Sequence, residues 1–239
     1  MRLAFGTIFA DAAAIWRADR DLLIALGAFF FVLPALALTL FMPQAAPPAE
    51  GERLAGQALL AYIAANWHWI AMQRVVELFG VASLFALCLD RARPTLGAAM
   101  GAALRLFPLF LVLAAFVAIL TWGGLMLFFL PGFYVMGRSF VAGAAMVAER
   151  QSDPFAALAR GFALTHGHGW MLFTAAMLLS LPGQLVALLA GALRGPEAGI
   201  VVIAATGLIA ALAGGAVTLA TALLQIAAYR RLAGSSNGT

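Results

Sequence analysis

Apolar residues fill four long runs of this chain that contain no Asp, Glu, Lys or Arg. The runs cover residues 22–49, 106–137, 161–193 and 198–229 and are 28, 32, 33 and 32 residues long. A helix needs about 20 apolar residues to cross the hydrocarbon core of a bilayer. A soluble protein of 239 residues would not place half of its length in such runs. The pattern therefore predicts an all-α integral membrane protein.

The runs and the turn signals between them divide a single domain, residues 1–239, into six predicted transmembrane helices. Residues 106–148 contain one charge, Arg138, and as one helix they would be roughly 65 Å long, about twice the apolar thickness of a bilayer. Two helices must share this stretch, and Gly123-Gly124 and Pro131-Gly132 predict a tight hairpin between them. The six helices pair as three hairpins and cover residues 22–42, 67–89, 106–127, 131–149, 169–193 and 199–229.

Two connections can be assigned from residue type. Pro43, Pro47 and Pro48 remove helix donors and predict an extended linker after the first span. Trp67 and Trp69 have the positions of an interfacial aromatic belt. The second span is therefore predicted to begin at residue 67, after a separate interfacial helix.

The charged residues predict the orientation of the bundle. All 14 basic residues are arginines, and charged residues make up only 10% of the chain, against about 25% in soluble domains. Since cytoplasmic loops are enriched in basic residues, both termini are predicted to lie in the cytoplasm. The arginines separate apolar runs and form no stripe, so we interpret them as topology signals and expect no nucleic-acid binding. The side shared by the termini has arginines 2, 17, 20, 91, 93, 105, 150, 160, 230 and 231, and the other side has 53 and 194.

Each pair of spans follows a short segment with an apolar stripe at helical spacing. These segments are residues 7–20, 94–107 and 153–166, and proline lies near the start of the second and the third. We predict short amphipathic helices on the cytoplasmic surface, repeated three times. The alternative is that alanine-rich sequences align without being repeats.

Four polar residues within predicted spans are the candidate ligand-binding residues: Arg74, Glu77, Arg138 and Gln184. An ionisable side chain inside a membrane costs about 2.5–3.5 kcal/mol on insertion scales, so it needs a partner or a water-filled cavity. Arg74 and Glu77 are three residues apart and can pair, and Arg138 has a similar predicted depth. Gln184 could join them near a kink at Pro182. The cluster would bind an anion or a lipid headgroup; alternatively, it is an ion pair that fixes helix packing.

Motifs for catalysis or metal binding are weak in this chain. His166, His168 and Asp153 could ligate zinc, but the third histidine, His68, is predicted on the opposite side of the membrane. The sequence has no lysine, no GxSxG motif and no phosphate-binding glycine loop. We therefore expect no bound metal, no cofactor, no catalytic residue and no enzymatic activity.

Residues 93–170 contain a set of motifs made of Leu130-Pro131-Gly132-Phe133-Tyr134, Arg138, Glu149, Asp153-Pro154 and Leu164-Thr165-His166-Gly167-His168-Gly169-Trp170. This set resembles the membrane domain family that is joined to glycerophosphoryl diester phosphodiesterases and also occurs as stand-alone bacterial inner-membrane proteins. The sequence departs from that pattern at Gly161-Phe162 and at the two histidines. The resemblance implies a multi-span module of a bacterial inner membrane without phosphodiesterase chemistry.

Three functions are compatible with these patterns. The first is a non-enzymatic multi-pass inner-membrane protein that interacts with anionic lipids or organises the envelope, with a possible protein partner or homo-oligomer. The second is a small transporter or lipid carrier, in which helices broken at Pro131-Gly132, Pro182-Gly183 and Gly214-Gly215 surround the charged cluster. The third, a lipid enzyme with a cytoplasmic cleft, has the least support.

Overall fold

The computed structural model describes residues 4–42, 55–90, 94–194 and 198–236. These residues form ten α-helices and one π-helical segment, and no strand occurs among them, which confirms the all-α prediction. The predicted linker around Pro43, Pro47 and Pro48 lies outside the described residues. The helices are α1 (Phe5–Ala18), α2 (Arg20–Gly27), α3 (Leu33–Phe41), α4 (Ala55–Leu89), α5 (Leu96–Leu127), α6 (Phe129–Arg138), α7 (Ala142–Ala148), α8 (Pro154–Leu164), α9 (Gly169–Ala192) and α10 (Ile200–Ser236), with the π-helical segment Ala28–Val32 between α2 and α3.

Six helical stretches of the described chain are long and apolar enough to cross a membrane, as predicted. Their bounds agree with the predicted spans to within a few residues at most ends. The second and third spans are exceptions, because they begin at Leu60 and Leu96 instead of at residues 67 and 106, and α4 continues without a break through Trp67 and Trp69. The prediction of a separate interfacial helix is therefore wrong. The six stretches are Arg20–Phe41, Leu60–Leu89, Leu96–Leu127, Phe129–Ala148, Gly169–Ala192 and Ile200–Gly234.

Helices α5 and α6 form the predicted tight hairpin, with the single extended residue Phe128 between them. Gly124 and Gly132 allow the two backbones to touch, since a Cβ on Gly124 would lie 2.7 Å from the amide N of Gly132. The turn of the hairpin is apolar and exposed, and no charged residue occurs between Arg105 and Arg138. We call residues 122–130 the apolar tip.

The fourth span consists of two helices, whereas the sequence predicted one helix over residues 131–149. Helix α6 ends at Arg138, residues 139–141 form a turn, and α7 begins at Ala142. The backbone N–H of Ala142 donates to the carbonyl of Ser139, which makes this turn tighter than an α-helix. The carbonyl of Arg138 at the end of α6 becomes available to another part of the chain.

Two of the three predicted amphipathic segments are separate helices, α1 and α8. As predicted, Pro154 lies in the first turn of α8, and the Asp153 side chain accepts a hydrogen bond of 2.9 Å from the N–H of Phe155. The second segment is instead the first part of α5, which begins at the cap residue Thr95 and continues through Pro108. The three segments therefore do not repeat as separate surface helices.

The six spans form a ring in chain order. Each span packs against the next, α6 packs against α9, and α10 returns to contact α3 of the first span. Helix α7 is surrounded by α4, α5, α8 and α10, and most of its residues are buried. Helix α1 packs on α10, where Asp11 accepts a hydrogen bond of 2.9 Å from Arg231.

Two sequence motifs that favour helix breaks lie within continuous helices. Helix α9 continues through Pro182-Gly183, and α10 continues through Gly214-Gly215. Gly183 lies against Val217, and Gly215 lies against Val32, so both glycines allow close helix packing. The breaks expected for a carrier at these two motifs are therefore not formed.

Candidate functional site

Arg74 and Glu77 pair directly, as the sequence predicts. Arg74 Nη1 lies 2.7 Å from Glu77 Oε2, and the hydroxyl of Thr218 on α10 donates to Glu77 Oε1 at 2.9 Å. The Glu77 side chain is 17% exposed and the Arg74 side chain 68% exposed. Both oxygens of the carboxylate thus have donors, and the pair connects α4 to α10. This geometry agrees with the alternative that the charged residues form an ion pair that fixes helix packing.

Arg138 lies apart from that pair, in contacts with α8 and α9. Its guanidinium carbon is 5.6 Å from the ring centre of Tyr134 and 5.4 Å from that of Phe162. Its side-chain stem lies against Gly169, where an added Cβ would be 3.0 Å from Arg138 Cδ. No contact within the described ranges joins Arg138 to Glu77. The structure therefore does not form the predicted cluster of charges.

Arg138 is a buried cation without an acidic partner in the part of the chain that the structure describes. The residue is only 8% exposed, and its buried Nε has no hydrogen-bond partner there. A cation over an aromatic ring gains about 0.5–2 kcal/mol, whereas an arginine inside a membrane costs up to about 2.5–3.5 kcal/mol. Two rings therefore offset much of the cost of burying Arg138, but they leave its Nε–H without an acceptor.

The backbone around Arg138 is fixed by Thr165, a fully buried residue between α8 and α9. Thr165 Oγ1 lies 2.8 Å from the carbonyl oxygens of both Arg138 and Gly161, which share its single proton. The hydroxyl thus satisfies the carbonyl at the break between α6 and α7. Gln184, the fourth candidate, is exposed on α9, and no hydrogen bond of its side chain occurs among the described residues.

A polar cavity of about 1390 Å³ lies at one end of the bundle and is lined by four arginines and three carboxylates. We call it the arginine-lined cavity. Apolar side chains from α1, α2, α4, α5 and α7 complete its walls. The four arginines belong to the set predicted to face the cytoplasm, while Arg194 bonds Thr206 near the opposite end of α10. The charged lining residues are Asp19, Asp90, Arg105, Glu149, Arg150, Arg160 and Arg230.

Glu149 organises one wall of the arginine-lined cavity. Its Oε1 accepts hydrogen bonds from Arg160 Nε at 3.0 Å and from the Tyr229 hydroxyl at 3.2 Å. Its Oε2 accepts a hydrogen bond of 2.8 Å from Gln151. The three donors come from α8, α10 and the α7–α8 turn. The carboxylate thus holds these elements together and is occupied by donors.

Arg150 is held by both its backbone and its side chain. It has a φ of 50°, and the N–H of Gln151 donates to the carbonyl of Met146, as in a Schellman motif at the end of α7. Glycine is usual in this conformation, so an arginine here indicates that its side chain compensates for the strain. The side chain pairs with Asp90 at 3.1 Å.

The two remaining arginines of the cavity differ in their contacts. Arg230 donates a hydrogen bond to the carbonyl of Cys88 at the end of α4. Arg105 is exposed on α5 and makes no ion pair with any acidic residue whose position is described. Arg105 is therefore the lining arginine with the greatest freedom to meet an anion.

The sequence did not predict the arginine-lined cavity, because its charged residues come from six separate segments. Each arginine alone has the position of a topology signal beside an apolar run. One signal was present: basic and acidic residues alternate at the predicted cytoplasmic boundary, with Asp19, Asp90 and Glu149 among the arginines. Their association required the ring of helices to close.

The histidines do not form a metal site with Asp153 in this structure. Asp153 caps α8, and His168 Nδ1 lies 3.0 Å from the carbonyl oxygen of His166. His68 lies on α4 in ring contacts with Trp67 and Trp69. No group of three or more potential metal ligands occurs among the described residues. The absence of a bound metal or cofactor stays a prediction.

No protein-family model, no curated protein and no solved structure matches this chain. The resemblance of residues 93–170 to the membrane domain family stays a prediction.

Proposed function

We propose that this multi-pass membrane protein binds the headgroup of an anionic lipid in the arginine-lined cavity, as a non-enzymatic protein of a bacterial inner membrane. In this proposal both termini and the cavity face the cytoplasm. Binding of this kind would serve lipid organisation in the envelope or association with a partner subunit or a second copy. The observation that carries the proposal is the composition of the cavity, which combines arginines with apolar walls.

The charges of the cavity favour an anion. Four arginines face three carboxylates, so one positive charge is in excess before any ligand is present. Two arginines are paired with carboxylates, which leaves Arg105 and Arg230 to supply donors to a phosphate. Glu149 already accepts three hydrogen bonds and is a poor candidate for a general base. This arrangement supports binding over catalysis.

The apolar walls favour a lipid over a small soluble anion. Leu22, Leu87 and Leu106 line the cavity beside the charged residues. These leucines belong to helices that cross the membrane, so the cavity adjoins the region of acyl chains. Its volume of about 1390 Å³ exceeds the roughly 300–1,000 Å³ of a typical small-molecule pocket. A phospholipid headgroup with the first part of its chains fits these properties.

The test compares retained lipid in the wild type, Arg105→Gln and the matched control Arg17→Gln. Arg17 is also an exposed arginine, on α1, but it does not line the cavity. The proteins are purified in a mild detergent, titrated with phosphatidylglycerol or phosphatidylcholine, and measured by native mass spectrometry. Losing a charge-assisted contact of about 1.5 kcal/mol lowers affinity about tenfold, so Arg105→Gln should bind phosphatidylglycerol about tenfold more weakly.

The control should match the wild type, and phosphatidylcholine should bind all three proteins more weakly than phosphatidylglycerol binds the wild type. Equal phosphatidylglycerol binding by Arg105→Gln and Arg17→Gln would contradict the proposal. Equal binding of the two lipids by the wild type would also contradict it, since the arginines would then not select for charge.

The carrier alternative has less support. Its charged cluster is divided between the paired Glu77 and the separate Arg138. Its three expected helix breaks all lie within continuous helices, α6, α9 and α10. The interruption at residues 139–141 was not among them, and its free carbonyl accepts a hydrogen bond from the hydroxyl of Thr165. We therefore favour static lipid binding over transport.

A further inference from the structure

We propose that Arg138 forms a second anion site, separate from the arginine-lined cavity, which binds a phosphate oxygen at the lipid-facing surface of α6 and α9. The proposal concerns a different set of residues, because Arg138 does not line the cavity. It does not depend on lipid binding at Arg105.

The first support is the unsatisfied charge. Arg138 is 8% exposed, and within the described part of the chain its guanidinium has no carboxylate partner and its Nε no hydrogen bond. A buried charge without a partner is unstable in an apolar environment. An arginine that persists in such a position indicates a counterion from outside the chain.

The second support is that the fold makes room for this side chain. The nearest atoms to a Cβ on Gly169 all belong to Arg138, with Cδ at 3.0 Å and Cγ at 3.3 Å. A Cβ on Gly137 would lie 2.0 Å from the carbonyl oxygen of Gly169, so α6 and the start of α9 approach with no side chain between them. The stem of Arg138 therefore occupies space that any larger residue at position 169 would fill.

The third support is the type of surface beside the guanidinium. Tyr134, whose ring lies over Arg138, is 43% exposed, and Trp170, next to Gly169, is 49% exposed. Tyrosine and tryptophan are enriched at the level of lipid headgroups. Because Tyr134 contacts the guanidinium and Trp170 follows the glycine against which the Arg138 stem lies, a phosphate at the membrane interface could reach Arg138. The shared ligand chemistry is a phosphate oxygen, from a phospholipid or from inorganic phosphate.

The main test replaces the charge without adding a new polar group. Arg138→Met has an unbranched apolar side chain, and its delipidated form should be as stable as the wild type or more stable, because an unpaired charge is removed. Wild type and variant are delipidated in neutral detergent, and their thermal midpoints are measured with phosphatidylglycerol, with phosphatidylcholine and with inorganic phosphate. Arg17→Gln serves as the matched control, since Arg17 is an exposed arginine on α1 that does not line the cavity.

We expect phosphatidylglycerol to raise the midpoint of the wild type and of Arg17→Gln, with at least half of this increase lost in Arg138→Met. By native mass spectrometry, the affinity at this site should fall about tenfold or more in Arg138→Met. Stabilisation by inorganic phosphate alone would identify a free anion as the ligand, and stabilisation by the phospholipid alone would identify the lipid. Equal increases in wild type and Arg138→Met for every additive would overturn the site.

A second variant keeps the test decisive if Arg138→Met fails to fold. Gly169→Ala retains the charge and presses on the stem of Arg138, whose Cδ and Cγ are the two atoms nearest to the added Cβ. It should fold and should bind phosphatidylglycerol more weakly than the wild type. Unchanged binding in Gly169→Ala, together with an unfolded Arg138→Met, would assign Arg138 to packing alone and overturn the proposal. If Arg105→Gln loses phosphatidylglycerol binding and Arg138→Met does not, only the proposal for the arginine-lined cavity is supported.

Discussion

Adding one methyl group to the α5–α6 hairpin should affect stability differently at two adjacent glycines. Gly123 has no atom within 4 Å of an added Cβ, whereas a Cβ on Gly124 would lie 2.7 Å from the N and 2.8 Å from the Cα of Gly132. These are backbone atoms of α6, which cannot rotate away as a flexible side chain can. Gly124→Ala therefore separates the two helices, and Gly123→Ala is its matched control.

The expected difference in stability between the two variants follows from these distances. To reach an ordinary contact of 3.4 Å from 2.7 Å, α6 must move by about 0.7 Å. Overpacking of this kind costs about 1–3 kcal/mol. Replacing glycine by alanine within a helix gains about 1 kcal/mol, and this gain applies to both positions. The difference between the two variants therefore isolates the packing cost, about 2 kcal/mol.

The assay is thermal unfolding of the two variants in the same detergent. For a chain of this size about 2 kcal/mol corresponds to a difference in Tm of about 4–8 °C, with Gly124→Ala the lower. Gly123→Ala should match the wild type or exceed it slightly. Equal Tm values for the two variants, or a lower value for Gly123→Ala, would refute the close contact between α5 and α6.

Three further predictions concern single polar contacts. Thr218→Val removes the hydroxyl that donates to the Glu77 carboxylate, and it should destabilise the protein by about 1–2 kcal/mol when unfolding is measured in detergent. Thr221→Val is the control and should destabilise it less, because no hydrogen bond of the Thr221 side chain is described. Thr165→Val leaves the buried carbonyl of Arg138 at the α6–α7 break unsatisfied, and it should lower the free energy of unfolding by about 1–3 kcal/mol in the same measurement. Thr174→Val is the control and should lower it little, because the Thr174 hydroxyl bonds only within its own helix. The hydrogen bond from Arg231 lowers the pKa of Asp11 below its ordinary value of 3.8. The stability that this pair contributes is therefore complete above that pH and is lost as the pH falls through the lower pKa of the folded state. When unfolding is measured at decreasing pH, the stability of Asp11→Asn should depend less on pH in that window than the stability of the wild type.

The membrane class, the six spans and the α5–α6 hairpin could be predicted because they depend on local signals. A run without charges fixes a span by length, and paired glycines and prolines mark a turn. The start of α8 was also local, since Asp153 and Pro154 are a cap and a first-turn proline. The structure changes these predictions by a few residues at most helix ends.

The interruption of the fourth span could not be predicted, because residues 139–141 contain no glycine or proline. The break depends on Thr165, which is distant in sequence and supplies a donor to the carbonyl of Arg138. The continuity of α9 through Pro182 agrees with the single span predicted over residues 169–193, and the break that the carrier alternative expected there is absent for a related reason. Neighbouring helices in a membrane protein can satisfy the carbonyl that proline leaves free, so a proline does not determine a break.

The candidate site was partly predictable. Arg74 and Glu77 pair through their spacing on one helix, which sequence alone establishes. The separation of Arg138 from Glu77 depends on how the spans are arranged around the ring, and residue depth alone gives no information about this. The arginine-lined cavity also depends on how the spans are arranged. Lipid-facing and buried positions are both apolar, so the sequence gives little information about which helices meet.

The apolar tip has a consequence for how the chain is inserted during biogenesis. Residues 122–130 contain no charged side chain, and the nearest charges on either side are Arg105 and Arg138. Moving a hydrophilic loop across a bilayer requires exposing polar groups to hydrocarbon, whereas this turn carries none beyond its backbone and the indole N–H of Trp122. Helices α5 and α6 can therefore enter the bilayer as one preformed hairpin, with the contact between Gly124 and Gly132 already made. The turn then needs no water-filled pathway to cross the bilayer.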